Sequence, residues 1–176
     1  MINDIKKIKL VISDMDGVWT DGTFYKGSDG VEIKKFSVLD GVGTALARAA
    51  DLKIAIISGR YSEATEHRMN ELKIKDLYNG NLNKIPAYEE LKNKYSLDDS
   101  EIAYIGDDLI DIPIMEKVAL PIAVSNAVSE VKAIAIYITK LKGGSGAFRE
   151  AIEWIIHQKN ETDRVMRKLK EKIRNS

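Results

Sequence analysis

Val11-Ile12-Ser13-Asp14-Met15-Asp16-Gly17-Val18 decides how the chain is read. The apolar run at residues 8–12 ends abruptly in two carboxylates one residue apart, followed by a glycine. A short apolar run bounded by a polar turn is the pattern of a strand buried on both faces of a parallel sheet. Such a strand delivers Asp14 and Asp16 to the carboxyl edge, where open α/β sheets place their ligands. Two acids this close repel each other, so both stay ionised at neutral pH only with a cation between them or donors around them. The pair predicts a bound metal ion, or one carboxyl kept protonated.

Outward from that strand, strand-like and helix-like segments alternate, which predicts an α/β fold with a doubly wound parallel sheet. Thr23-Phe24-Tyr25, the turn at residues 26–30 and the alternating stretch 31–36 read as a small projecting β-hairpin inserted before the first helix. That helix is expected from Asp40-Gly41 to Asp51. A second strand at 54–57 closes in Ser58-Gly59-Arg60, and Ser62 caps the next helix, which carries Met69 and Leu72. A short strand at 77–78 follows, then Lys84 opens another helix. The strand at 102–105 ends in Gly106-Asp107-Asp108, with a helix after it carrying Ile110, Ile114, Met115 and Val118. Strands at 121–124 and 136–138 and an amphipathic helix at 147–158 complete residues 1–158 as one domain, leaving residues 159–176 as a charged tail.

With 176 residues, 44% apolar and 31% charged, the chain suits a single domain with a proper core. Lys+Arg and Asp+Glu are equal at 27 each, so no global field marks a nucleic-acid or membrane binder, and phosphate recognition has to be local. There is no Cys, which excludes disulfides, thiol catalysis and thiolate metal sites, and suits a reducing compartment. The N-terminal apolar run is too short for a signal peptide or a membrane span, so a cytoplasmic protein is expected. The tail holds seven basic and three acidic residues, with Val165, Met166, Leu169 and Ile173 on one helical face. A solvated charged helix end is the expectation there, ahead of a docking segment.

Asp14, Asp16, Ser58, Lys84, Asp107 and Asp108 each fall at a strand's carboxyl end or a helix's start, so a parallel sheet gathers them into one pocket. Taken singly, Ser58 reads as a turn cap, Lys84 as a surface cation and Asp107-Asp108 as another cap. Taken together, they supply a carboxylate nucleophile, a second carboxyl as acid and base, a third to hold magnesium, and donors for a phosphate.

Asp14-Met15-Asp16-Gly17-Val18, Ser58-Gly59-Arg60, Lys84 and Gly106-Asp107-Asp108-Leu109-Ile110-Asp111 resemble, in order, the four motifs of the haloacid dehalogenase superfamily. The hairpin, Arg68, and Gly143-Gly144-Ser145-Gly146-Ala147-Phe148-Arg149-Glu150 narrow the resemblance to its capless phosphatases of 3-deoxy-D-manno-octulosonate 8-phosphate, a precursor of lipopolysaccharide sugar. The resemblance implies that Asp14 attacks phosphorus and that Asp16 protonates the leaving alkoxide and then activates water. It implies Mg2+ held by Asp14, Asp107 and the backbone carbonyl of Asp16, with Ser58, Gly59 and Lys84 on the phosphate and Asp108 and Asp111 in support. Arg60, Arg68, Arg149, Asp40 and Gly41 become candidate contacts for the sugar acid, Arg suiting a carboxylate because its planar fork binds bidentately. Such relatives form tetramers in which hairpins and neighbouring subunits complete an open site. A nonulosonate 9-phosphate of the sialic-acid kind is the alternative substrate, with Trp19 the feature pointing that way. A phosphoacceptor receiver domain uses the same residue types, but with the adjacent acids first and the phosphorylated Asp later, the reverse of the order here.

Overall fold

The computed structural model describes residues 2–175, and side chains from residue 5 onward. In chain order its elements are β1 (Leu10–Ser13), β2 (Tyr25–Lys26), β3 (Glu32–Ile33), α1 (Val38–Ala49), β4 (Lys53–Ser58), α2 (Glu63–Glu71), β5 (Asp76–Asn79), α3 (Ile85–Tyr95) and β6 (Ile102–Gly106). Then follow α4 (Ile112–Met115), β7 (Leu120–Ala123), α5 (Ser129–Ile134), β8 (Tyr137–Ile138), α6 (Ala147–Gln158) and α7 (Thr162–Arg174).

Six strands form one parallel sheet in the order β5-β4-β1-β6-β7-β8. β1, β6 and β7 are buried at every residue, which is why they read as continuous apolar runs rather than alternating ones. After β1 the chain winds one way, to β4 and β5, then returns to lay β6 on the other side of β1. The β1/β6 seam is therefore the point where strand order reverses, and a crevice opens there above the carboxyl ends. Register fixes what meets in it, because Ser13 pairs with Ile56 on β4 and Ile105 on β6. Asp14 continues that register, its N–H bonded to the Ile105 carbonyl at 2.9 Å.

β2 and β3 form the two-stranded antiparallel hairpin expected between β1 and the first helix, with no further domain inserted. α1 starts earlier than Asp40-Gly41 because Ser37 caps it, accepting from the Leu39 N–H at 3.2 Å. Ser62 caps α2 as expected, and Lys84 sits at the N-terminal boundary of α3. The continuous helix expected through Ile110, Ile114, Met115 and Val118 is instead a 3₁₀ turn, Leu109–Asp111, and a single α turn. Asp111 draws the N–H groups of Asp107 and Asp108 onto its own carboxylate, tightening the turn, and Pro113 then lacks an N–H for the ladder. α5 has only six residues, too few for a helical period to show in the sequence.

The tail differs from a solvated helix end. α7 packs on α1 and α6, Val165 is buried, and Leu169 lies against the core. Arg164 and Lys168 both reach Asp51, at 3.0 and 2.7 Å, pinning α7 to the turn after α1. Met166 and Ile173 remain exposed. Among the described residues no helix is long and apolar enough to cross a membrane.

Trp19 and Phe148 lock the loop after β1 onto α6. Their rings stack with centroids 4.1 Å apart, both fully buried, and the Trp19 indole N–H donates to Ser13 Oγ at 3.1 Å. Truncating the ring leaves a cavity between sheet and helix, and Phe148→Ala is expected to lower stability by about 3–5 kcal/mol. Urea unfolding followed by circular dichroism measures this, and a loss below about 1 kcal/mol would show that the two elements are held elsewhere.

Candidate active site

The crevice is built around a buried ammonium. Lys84 at the start of α3 donates to Asp14 Oδ1 at 2.5 Å and to Asp111 Oδ1 at 2.6 Å, with its side chain 1% exposed. Burial opposes its charge, but Asp14 and Asp111 outweigh it and the Lys84 pKa is raised. Asp111 is saturated: Oδ1 also accepts from the Tyr104 hydroxyl at 2.7 Å, and Oδ2 takes the N–H groups of Asp107 and Asp108 at 2.9 and 3.2 Å. It braces the turn after β6.

Asp14, Asp107 and Asp111 bring carboxylate oxygens within 4.8 Å of one another. Desolvation and the Asp111 charge raise the pKa of Asp14; desolvation and the Asp14 charge raise that of Asp107. Three carboxylates against one ammonium leave a deficit that a divalent cation matches. Asp107 Oδ1 is buried without a hydrogen-bond partner, as a ligand atom awaiting a hard cation would be. The donor set therefore fits magnesium, with Asp14 and Asp107 the carboxylates free to hold it. Asp16 stands outside this triplet by its side chain; its expected share is its backbone carbonyl.

Gly17 is required where it stands. Its φ is +100°, and a Cβ there would lie 1.9 Å from Asp107 Oδ2. The glycine-rich stretch at residues 143–146 packs beneath the site, against the loop after β1. Gly143 and Gly144 press backbone to backbone on the loop after β1, the Gly144 N–H bonding the Val18 carbonyl at 3.0 Å, and a Cβ on Gly143 would meet the Gly17 carbonyl oxygen at 1.7 Å.

The cleft above these groups has a volume of about 290 Å³ and is lined by Asp14, Asp16, Ser58, Gly59, Arg60, Asp107 and Asp108, with Phe24, Leu82 and Ile110 as apolar walls. Ser58 is buried at the end of β4, its hydroxyl donating to the Arg60 carbonyl at 2.9 Å. Asp108 caps the 3₁₀ turn through the Leu109 N–H at 2.7 Å. Arg60 reaches the cleft, but its fork already grips Glu32 on β3, and its guanidinium lies 4.1 Å from the centroid of the Phe24 ring. The hydrogen bond from Arg60 holds the Glu32 carboxyl well below its usual range, at about 2.

Four of the expected sugar contacts do not line this cleft. Arg68 pairs with Glu71 at 2.8 Å and Arg149 with Glu153 at 2.8 Å. Asp40 is buried and accepts the N–H groups of Gly146 and Arg149 at 3.2 and 3.1 Å, joining α1 to α6. Gly41 lies where a Cβ would come 3.1 Å from an Arg68 nitrogen. Within one chain these residues serve packing. Three partners escaped the sequence reading. Tyr104 looks like an ordinary core residue of β6, Glu32 and Lys34 like ordinary hairpin surface charges; only their alternation, two residues apart, placed the latter two on one face.

The class of protein follows from this seam of acids and is borne out by comparison. Residues 71–150 match the model of the haloacid dehalogenase-like hydrolase family. The chain is 40% identical over 163 residues to the 3-deoxy-D-manno-octulosonate 8-phosphate phosphatase KdsC of Escherichia coli K12, covering 93% of this chain and 87% of that one. The crystal structure of the phosphatase of that name from Yersinia pestis superposes with a TM-score of 0.89 at 41% identity, covering 92% of this chain and 88% of that one. The one from Moraxella catarrhalis, solved with magnesium ion, phosphate ion and KDO, gives 0.88 at 36% identity over 92% and 93%. The chain belongs to the haloacid dehalogenase-like hydrolases.

Because Asp14 and Asp107 have raised pKa values, the folded protein without metal binds protons more tightly than the unfolded chain. Stability is then lost as pH rises above the ordinary Asp value of 3.8, the reverse of a salt-bridged carboxylate. Thermal melting in chelator is expected to fall between about pH 5 and about pH 8, and magnesium at saturating concentration to flatten that decline. A pH-independent melt in chelator would show the two carboxyls to be ordinary.

Proposed function

We propose that the chain is a magnesium-dependent phosphatase that hydrolyses 3-deoxy-D-manno-octulosonate 8-phosphate to the free sugar acid and phosphate. The observation that carries the mechanism is that two neighbouring carboxylates stand in different surroundings. Asp14 is buried among Lys84 and Asp107, whereas Asp16 faces the cleft, its side chain 29% exposed. Asp14 thus sits where a cation and an ammonium can screen it from a phosphate, and Asp16 where it can exchange a proton with a leaving group or water. The substrate assignment is supported by the names and coverage of the relatives.

In the first half-reaction an Asp14 oxygen bonds to phosphorus while the bond to the sugar oxygen breaks, and Asp16 gives its proton to that oxygen. In the second, Asp16 as carboxylate takes a proton from water, whose oxygen attacks the phosphorus of the aspartyl phosphate and releases Asp14 and inorganic phosphate. Lys84 and Ser58 hold the phosphoryl oxygens. Magnesium, when bound by Asp14 and Asp107, neutralises charge between nucleophile and phosphate.

Arg60 stands at the rim with its fork on Glu32, and is our candidate for the sugar carboxylate through the guanidinium N–H groups that Glu32 leaves free. Trp19, the feature that pointed to a nonulosonate substrate, is buried in the core and cannot touch one. Phosphate release from the octulosonate phosphate, a nonulosonate 9-phosphate and p-nitrophenyl phosphate, with magnesium, tests the reading. Asp14→Asn is expected to abolish turnover on all three, and the eight-carbon substrate to give the highest kcat/KM. Arg60→Ala is expected to lose about 10²-fold on the sugar acids and far less on p-nitrophenyl phosphate. Equal losses would move Arg60 to the phosphate or the fold, and preference for the nine-carbon substrate would overturn the assignment.

The hairpin exposes Phe24, Tyr25, Val31 and Ile33. An apolar surface of this kind fits self-association, and we assign the chain to a cytoplasmic homotetramer built through it. Sedimentation at micromolar concentration is expected to show a tetramer, and a monomer would overturn that assembly.

A further inference from the structure

The hairpin sends a second charge into the site that the reaction scheme above leaves unused. Lys34 follows β3 directly, two residues beyond Glu32, so both point to the same face of the strand. Its side chain is 0% exposed, the same as a core residue. Nζ lies 2.6 and 2.8 Å from the two oxygens of Asp16 and 3.3 Å from Thr65 Oγ1 on the first turn of α2. An ammonium has three donors and no acceptor, so these three contacts use all of it. Burying such a group is costly unless it is paired. Anchoring a hairpin would not need the cost to be met at the one carboxylate that moves protons.

We propose that Lys34 is the positioning residue for Asp16, resting on the reading of Asp16 as acid and base. A carboxylate on the turn after β1 rotates about its χ angles, and only some orientations aim an oxygen at the leaving group. Contact with both oxygens fixes the plane of the carboxylate, which lines the cleft, and leaves Oδ2 with accepting capacity to spare. Thr65 holds the ammonium in place, and the Thr20 hydroxyl lies 3.5 Å from Asp16 Oδ1 as a second, longer donor. Lys34 makes no covalent bond and transfers no proton. It sets the direction from which Asp16 gives a proton to the sugar oxygen and later takes one from water. Asp16 therefore has an ammonium of its own, while Lys84 serves Asp14 and Asp111.

The test is Lys34→Met, which keeps length and removes the donors, beside Lys34→Arg, which restores them. On the sugar phosphate, Lys34→Met is expected to lower kcat by about 10²-fold, part of what general acid–base catalysis contributes, with KM little changed. Lys34→Arg is expected to recover much of that loss. On p-nitrophenyl phosphate, whose leaving group needs no proton, the variant is expected to release a burst of one nitrophenolate per active site before slow turnover. Acid quench should then trap phosphate on the protein. An anchor for the hairpin alone would loosen Glu32 and Arg60, raising KM for sugar acids while leaving kcat and the burst unchanged, and that result overturns the proposal. Should Lys34→Met fail to fold by circular dichroism, Thr65→Val reads the same kcat effect at smaller size, and wild-type kcat in it overturns the proposal. Asp16→Asn separates the two readings. Activity in that variant removes Asp16 from the chemistry, whereas an inactive Asp16→Asn beside a fully active Lys34→Met removes only Lys34.

Discussion

Crowding of like charge at the β1/β6 seam is the constraint from which the rest of the site follows. Two unit charges 4 Å apart interact by about 4 kcal/mol at the effective dielectric of a protein, and here three carboxylates share such a space with one ammonium. Nothing local to the chain would hold them there. Asp14 is carried by the strand, Asp107 and Asp111 by the turn after β6, and Lys84 by the start of α3. Only the parallel pairing that sets Ser13 beside Ile105 brings them together. The hydrophobic burial of β1, β6 and β7 on both faces supplies the fold energy that opposes this repulsion. A folded core and an unstable site are thus two ends of the same strands.

Much of this was legible because the strongest sequence signals are also the deepest structural ones. A fully buried strand has no alternation to confuse, and its end is marked by the first acid, so β1, β4 and β6 and the residues at their tips were placed within a residue or two. Ser62 and the Ala147–Gln158 helix were equally plain, since a cap and a long amphipathic period are local. What was missed is what locality does not contain. Tyr104 is apolar by context, and its hydroxyl matters only because Asp111 folds back onto it. The helix after Asp108 broke because a side chain captured backbone N–H groups, a competition that composition alone does not decide.

The arginines show the same limit from the other direction. Arg60, directly after Ser58-Gly59, is the favoured reading from sequence, with Arg68 and Arg149 equally readable as solvated surface cations. Folded, Arg68 and Arg149 pair with Glu71 and Glu153 on their own helices, while Arg60 crosses to the hairpin. Spacing of three or four residues between opposite charges on a helix is itself a reading, and it marks a local pair on the helix before any function is considered. Arg60 also has an acid three residues on, Glu63, but Arg60 itself lies in the turn between β4 and α2, and the fold gives it Glu32 instead.

The hairpin is wrapped opposite to an ordinary one. In an isolated hairpin the apolar face seeks the core and charges point to water. Here Glu32 and Lys34 point inward, to Arg60 and Asp16, while Val31 and Ile33 on the alternate positions are 54% and 60% exposed. Period two leaves no third choice: a strand that gives its charges to the site must give its apolar residues to the outside. A cleft without a cap domain needs charges delivered from a short projection. The same projection then carries an apolar face that water does not favour. An open site and an exposed apolar surface are therefore consequences of one alternation along residues 31–34.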